Sequence, residues 1–130
     1  MVLCLHVGML AWLAYVSAPV TDEPAQLAAG LSNWRHSTFV MYRVTGPLVR
    51  LIGALPVLCV DHREDWHRFS GARDGRGDRP EYPVGLDFCE ANGERVIWLM
   101  TLARWACLPF TVLGALVCRR WATDLSGAVG

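Results

Sequence analysis

The stretch VIWLMTLARWACLPFTVLGALVC, Val96 to Cys118, most constrains what this chain can fold into. It runs for twenty-three residues with a single charge, Arg104, between Arg95 on one side and Arg119-Arg120 on the other. That meets the length criterion for a membrane-spanning helix despite Arg104 and Pro109. Trp98 and Trp121 lie near its ends, where indole rings favour the interface. Residues 1–18 form a second apolar run, with only His6 and Ser17 as clearly polar side chains. As a helix its seventeen residues from Val2 reach roughly 26 Å, slightly short of the hydrocarbon core. The VSA before Pro19 resembles a signal-peptidase site, but no positive residue precedes the run, so an uncleaved first span is expected. The fold class predicted is all-α and integral to the membrane, with two transmembrane helices, 1–18 and 96–118, joined by a long loop. Arg119 and Arg120 place the tail 119–130 in the cytoplasm and the loop 19–95 on the exoplasmic side.

Composition agrees with that division. Of the 130 residues, 53% are hydrophobic and 18% charged, and eleven of the twelve acids lie between Asp22 and Glu94. Net charge is zero, so no electrostatic case exists for a nucleic-acid partner. Inside the second span, Thr101, Arg104, Leu108 and Thr111 share one helical face. A charge there costs about 2.5–3.5 kcal/mol at the bilayer centre. Such a stripe should meet protein rather than lipid, and two helices offer little protein, so further helices are expected to cover it.

Within the loop, three sections are expected. The first, TDEPAQLAAGLSNW, opens a juxtamembrane helix over 22–34, with Thr21 or Asp22 as N-cap, Pro24 in the first turn, and Leu27, Leu31 and Trp34 on one side. The second, PLVRLIGALPVLCV over 47–60, is apolar but short and broken by Arg50 and Pro56, the pattern of a helix lying in the interface. The third, 61–83, is charged and rich in Gly, Arg and Pro, the composition of a mobile loop.

Candidate chemistry gathers at Asp22-Glu23. One reading is structural, since Asp is a favoured N-cap and Glu suits the positive end of a helix dipole. The other is a carboxylate at headgroup depth acting as general base or metal ligand on a lipid-linked substrate. Both can hold together. The segment DHREDWHRF, 61–69, carries metal-ligand residue types, but their spacing matches no zinc signature, and a solvated charged loop is the plainer expectation. Arg76-Gly77-Asp78 spells the integrin tripeptide in a loop where chance supplies it. Arg43 and Arg50 flank the interfacial segment and could grip a lipid phosphate or simply snorkel to headgroups. Cys59 and Cys89 lie in the polar middle and could pair if that side is oxidising.

The order of these features, a first span, then TDEPAQLAAGLSNWRHSTFVMYRVTGPLVRLIGALP, then LARWACLPFTVLGALVCRRWATDLSG, resembles the start of the GT-C membrane glycosyltransferases. The resemblance is greatest to the protein-mannosyltransferase and aminoarabinose-transferase group, of the dolichyl-phosphate-mannose-protein mannosyltransferase type, and to its bacterial members in the inner membrane. It implies a transferase moving a sugar from a polyprenyl-phosphate carrier to an exoplasmic acceptor with inversion. It further implies that Asp22 is the catalytic acid, deprotonating the acceptor or helping to hold a divalent metal ion, with Glu23 beside it. Arg43 and Arg50 are the phosphate contacts it leaves open. Where relatives tend to carry a polar or acidic residue before a Pro-rich pair, this chain has Thr45-Gly46-Pro47. Family members continue through many more spans, so the chain is expected to be an N-terminal portion that needs the remaining helices for activity. The alternative is a non-catalytic two-span accessory or scaffold protein.

Overall fold

The computed structural model of the protein describes residues 1–69 and 79–127. These residues form an all-α structure of six helical segments. They are α1 Val2–Val16, α2 Asp22–His36, α3 Leu48–Leu58, α4 Glu81–Asn92, α5 Arg95–Trp105 and α6 Leu108–Ser126. The last two join into one apolar helix of 32 residues, Arg95–Ser126, long and apolar enough to cross a membrane. The expected span 96–118 lies within it, and the helix runs on through the expected tail to Ser126.

Local sequence sets the helix ends. Ser17 leaves α1 in an extended conformation (φ −81°, ψ 132°), and Pro19 follows, which disfavours helix in the residue before it. Helix α2 starts after Thr21 with Asp22 and Glu23 in its first turn and ends with Arg35 and His36, so charges of both signs match the helix dipole. No side chain caps its N-terminus, so neither Thr21 nor Asp22 plays the capping part expected of it. Between α5 and α6, Pro109 has no amide proton to continue the ladder. The helix tightens there, with Cys107 N–H bonded to the Arg104 carbonyl at 3.0 Å and Phe110 N–H to the Cys107 carbonyl at 3.1 Å.

Helix α2 is the central element. Its Ala25, Ala28 and Ala29 pack with Met41, Tyr42, Phe69 and Val84 in one cluster. Leu27 and Leu31 join Val57, Phe88, Leu99 and Met100 in a second cluster, and Trp66 touches both. Two glycines allow the close approach of backbones. A Cβ on Gly30 would strike the Arg50 carbonyl of α3, and one on Gly85 would lie 2.7 Å from the Ala25 amide of α2. Helices α2 to α5 thus make a packed platform. By contrast α1 and α6 bury no residue at all, and Leu5, Met9, Trp12, Phe110, Leu113 and Val117 point outward. At fifteen residues α1 is shorter than the run 1–18 suggested.

The loop also differs from expectation. Helix α4 occupies Glu81–Asn92, residues 61–69 form a strap along the platform, and the rest of the charged stretch over 70–78 lies outside the described residues. There the Glu64 carboxylate accepts from Arg35 Nε (2.9 Å), Trp66 Nε1 (3.1 Å) and the buried His62 ring (2.9 Å). Asn92 ties the strap to α4 by accepting from Arg63 N–H at 2.8 Å and donating to the Arg63 carbonyl at 2.7 Å. Burial outweighed polarity because Trp66 and Phe69 pack on the ring of His36. Arg76-Gly77-Asp78 lies outside the described residues. Cys59 and Cys89 are both free thiols, so that pairing is not made.

Candidate membrane-surface site

The site is built where α1 ends, α2 begins and α5 passes. Arg104 comes off α5 and spends all five of its donors there. Its Nε and Nη2 bond the two oxygens of Glu23 at 2.8 and 2.6 Å, the forked geometry of a guanidinium on a carboxylate. Its Nη1 reaches the carbonyls of Ala14 and Ser17, both at 2.8 Å, and Nη2 reaches Ala18 at 3.1 Å. The last carbonyls of α1 have no partner within their own helix, and a cation beside them complements the helix dipole. Thr101 donates to Ala14 as well (3.4 Å), and Trp105 Nε1 to Ala11 at 3.0 Å. The polar stripe on the long helix therefore faces α1 and the start of α2. The partner that Arg104 was expected to need lies within this chain.

Glu23 is held on a third side by the Val20 amide at 3.0 Å. Burial works to raise the pKa of this carboxyl. The Arg104 hydrogen bonds, the Val20 amide and the Arg104 charge outweigh it, and the group sits below its ordinary range. With both oxygens committed to Arg104, Glu23 is a fixed anchor.

Asp22, one residue earlier, is exposed and turned the other way. Its Oδ1 accepts from the Tyr82 hydroxyl of α4 at 2.7 Å. That acceptor, followed by burial and the neighbouring Tyr42, pushes the Tyr82 phenol up to about 12 from 10.0. Arg79 lies over the Tyr82 ring at 4.7 Å and over Tyr42 at 5.7 Å, and is paired with the buried Glu81 at 2.9 Å. A mostly apolar cavity of about 470 Å³ opens between the start of α2, α4 and α5, with Thr21, Pro24, Tyr82, Leu86 and Ile97 in its wall, and Asp22 does not line it. Another, of about 400 Å³, lies between α2, α3 and α5, walled by Glu23, Gln26, Val49, Arg50 and Met100.

The two arginines considered for a lipid phosphate have other partners. Arg50 is buried at 5% exposure and donates to the carbonyls of Tyr42 (2.6 Å) and Thr45 (3.3 Å). Its Nε meets Asn33 at 3.2 Å when that amide is turned to satisfy Ala29 and Thr38. Arg50 thereby holds the turn 37–47, which includes Tyr42 at a positive φ of 55°. Arg43 is exposed and donates to Val40 at 3.1 Å. Asp22 and Glu23 face different partners, with both Glu23 oxygens on Arg104 and Asp22 on Tyr82. Among the described residues no three His, Cys, Asp or Glu side chains are placed to hold a metal.

The sequence reading singled out Arg104 but not its pairing with Glu23, and it missed Tyr82. Arg104 had a usable signal, since a cation inside an apolar helix requires an acid near the same depth, and Glu23 is the acid that follows α1. Tyr82 had none, because sixty positions separate it from Asp22 and nothing in its surroundings marked a helix. The chain matches no protein-family model, no curated protein and no solved structure.

Proposed function

We propose that this chain supplies the membrane-surface base of a glycosyltransferase that takes a sugar from a polyprenyl-phosphate carrier. The observation that carries the reading is the Arg104–Glu23 fork, which ties the start of α2 to the end of α1 and to the long apolar helix. That tie holds Asp22 where the apolar helices meet the packed platform, which in this reading is the depth of a lipid headgroup. Asp22 is exposed there, with one oxygen held by the Tyr82 hydroxyl.

In this reading Asp22 takes the proton of an acceptor hydroxyl as its oxygen attacks the anomeric carbon. The bond from that carbon to the carrier's phosphate oxygen breaks, the configuration inverts, and polyprenyl phosphate leaves as the anion. Glu23 acts through Arg104 as a positioning residue. The exposed apolar faces of α1 and α6 are where lipid and the remaining helices of the transferase would pack. The resemblance of the Asp22-Glu23-Pro24 segment and its setting names the reaction class, and the exposed position of Asp22 supports it.

The test is transfer of labelled sugar from a polyprenyl-phosphate donor by membranes carrying the native gene product. Asp22→Asn should abolish transfer while costing about 1 kcal/mol of stability or less. Transfer retained by Asp22→Asn refutes the assignment. One observation favours the scaffold reading instead: Arg104 is fully satisfied within the chain and needs no further helix. A scaffold predicts no transfer by the wild-type membranes either.

A further inference from the structure

We propose that Tyr82 is the positioning residue of the candidate base, holding one oxygen of Asp22 so that the other is presented to the acceptor. The inference rests on Asp22 being that base.

Two observations beyond the hydrogen bond itself support it. The contact joins the first turn of α2 to the first turn of α4 across sixty positions, between helices that Gly85 brings to backbone contact. Tyr82 is in turn fixed from behind. Arg79 covers its ring at 4.7 Å, Glu81 holds Arg79, and the Tyr42 ring lies 6.4 Å away. The ring so held keeps the hydroxyl 2.7 Å from Asp22 Oδ1, with Tyr42 as its second neighbour. The cavity of about 470 Å³ has Tyr82 in its wall, so a substrate seated in it would lie against the same phenol. The phenol's proton stays in place at working pH, since its titration is displaced to about 12. Tyr82 is thus a donor to the carboxylate and takes no proton in the reaction.

Tyr82→Phe removes the hydroxyl and keeps the ring under Arg79, so the platform should remain folded. A hydrogen bond to a charged group is worth enough that kcat should fall roughly tenfold, with KM little changed. Tyr15→Phe, on α1, should behave as wild type. A second readout needs no activity: in protein carrying ¹³Cζ-tyrosine, the Tyr82 resonance should titrate near 12. In Asp22→Asn it should fall toward 10.0.

If Asp22→Asn is inactive while Tyr82→Phe keeps the wild-type kcat, the positioning role is overturned and the base reading stands. If Asp22→Asn retains transfer, both are overturned. An unmoved Tyr82 titration in Asp22→Asn also overturns the positioning role.

Discussion

Replacing Arg104 by methionine keeps the apolar stem of the side chain and deletes the guanidinium. Five hydrogen bonds go with it: two to Glu23 and one each to Ala14, Ser17 and Ala18. The side chain of Arg104 is 19% exposed and that of Glu23 31%, so the orphaned carboxylate regains only part of its hydration. Removing one partner of a fully buried pair costs 3–5 kcal/mol, and this partial exposure brings the expected loss to about 2–3 kcal/mol. Glu23→Gln keeps an oxygen that can accept one bond, so it should cost about 1–2 kcal/mol. The two together should show a coupling of about 1–2 kcal/mol in a double-mutant cycle. Arg104→Lys should fall between, since an ammonium cannot fork onto Glu23 while also reaching three carbonyls. Unfolding by sodium dodecyl sulfate in mixed micelles, followed by tryptophan fluorescence, gives these differences. An Arg104→Met protein within about 0.5 kcal/mol of wild type would refute the argument that this fork joins α1, α2 and the long helix.

Other outcomes follow from the packing and the charges. Gly30→Ala should destabilise by about 1–3 kcal/mol, because its methyl meets the Arg50 carbonyl and lies 3.1 Å from Ala54 Cβ. The same micelle titration measures it, and a neutral result would show that α2 and α3 can separate freely. Phe88→Ala empties a site 2% exposed in the second core cluster and should cost about 3–5 kcal/mol. Glu23 and Glu64 both titrate below the ordinary value of 4.5, since their donors outweigh the effect of burial. Their stabilisation is therefore complete above pH 4.5 and is lost as pH falls through the lower folded values. Proteolysis of the 61–69 strap and of the α1–α2 junction should accelerate as pH falls below 4.5, and protection that increases in acid would contradict the sign.

Periodicity and punctuation in the sequence carried α2, α3 and the long helix. Leu27 and Leu31 are buried as their spacing predicted, while Trp34 stays 47% exposed and donates to the Leu51 carbonyl instead. Helix α4 was invisible because Val84 and Gly85 of its core side meet the alanines of α2, and only Phe88 reaches Leu27 and Leu31. Contact between small residues leaves no hydrophobic stripe to read. The strap 61–69 looked soluble for a related reason. Its charges are there to be paired, with Glu64 taking three donors and Asp61 holding Arg95 at 2.7 Å. At the site, the Asp-Glu pair was legible, but not that its members part company. Glu23 turns to Arg104 and Asp22 to Tyr82, and only the three-dimensional path of α4 and α5 decides that.

The central claim is that this fork holds Asp22 at the membrane surface. A nitroxide on Thr21→Cys, with the native cysteines replaced and the protein in phospholipid vesicles, reports that depth through its collisions with oxygen and with a water-soluble nickel complex. The account predicts a label within about 5 Å of the lipid phosphates, moving outward and gaining mobility in Arg104→Met. A label in bulk water in both proteins, indifferent to Arg104, would contradict it.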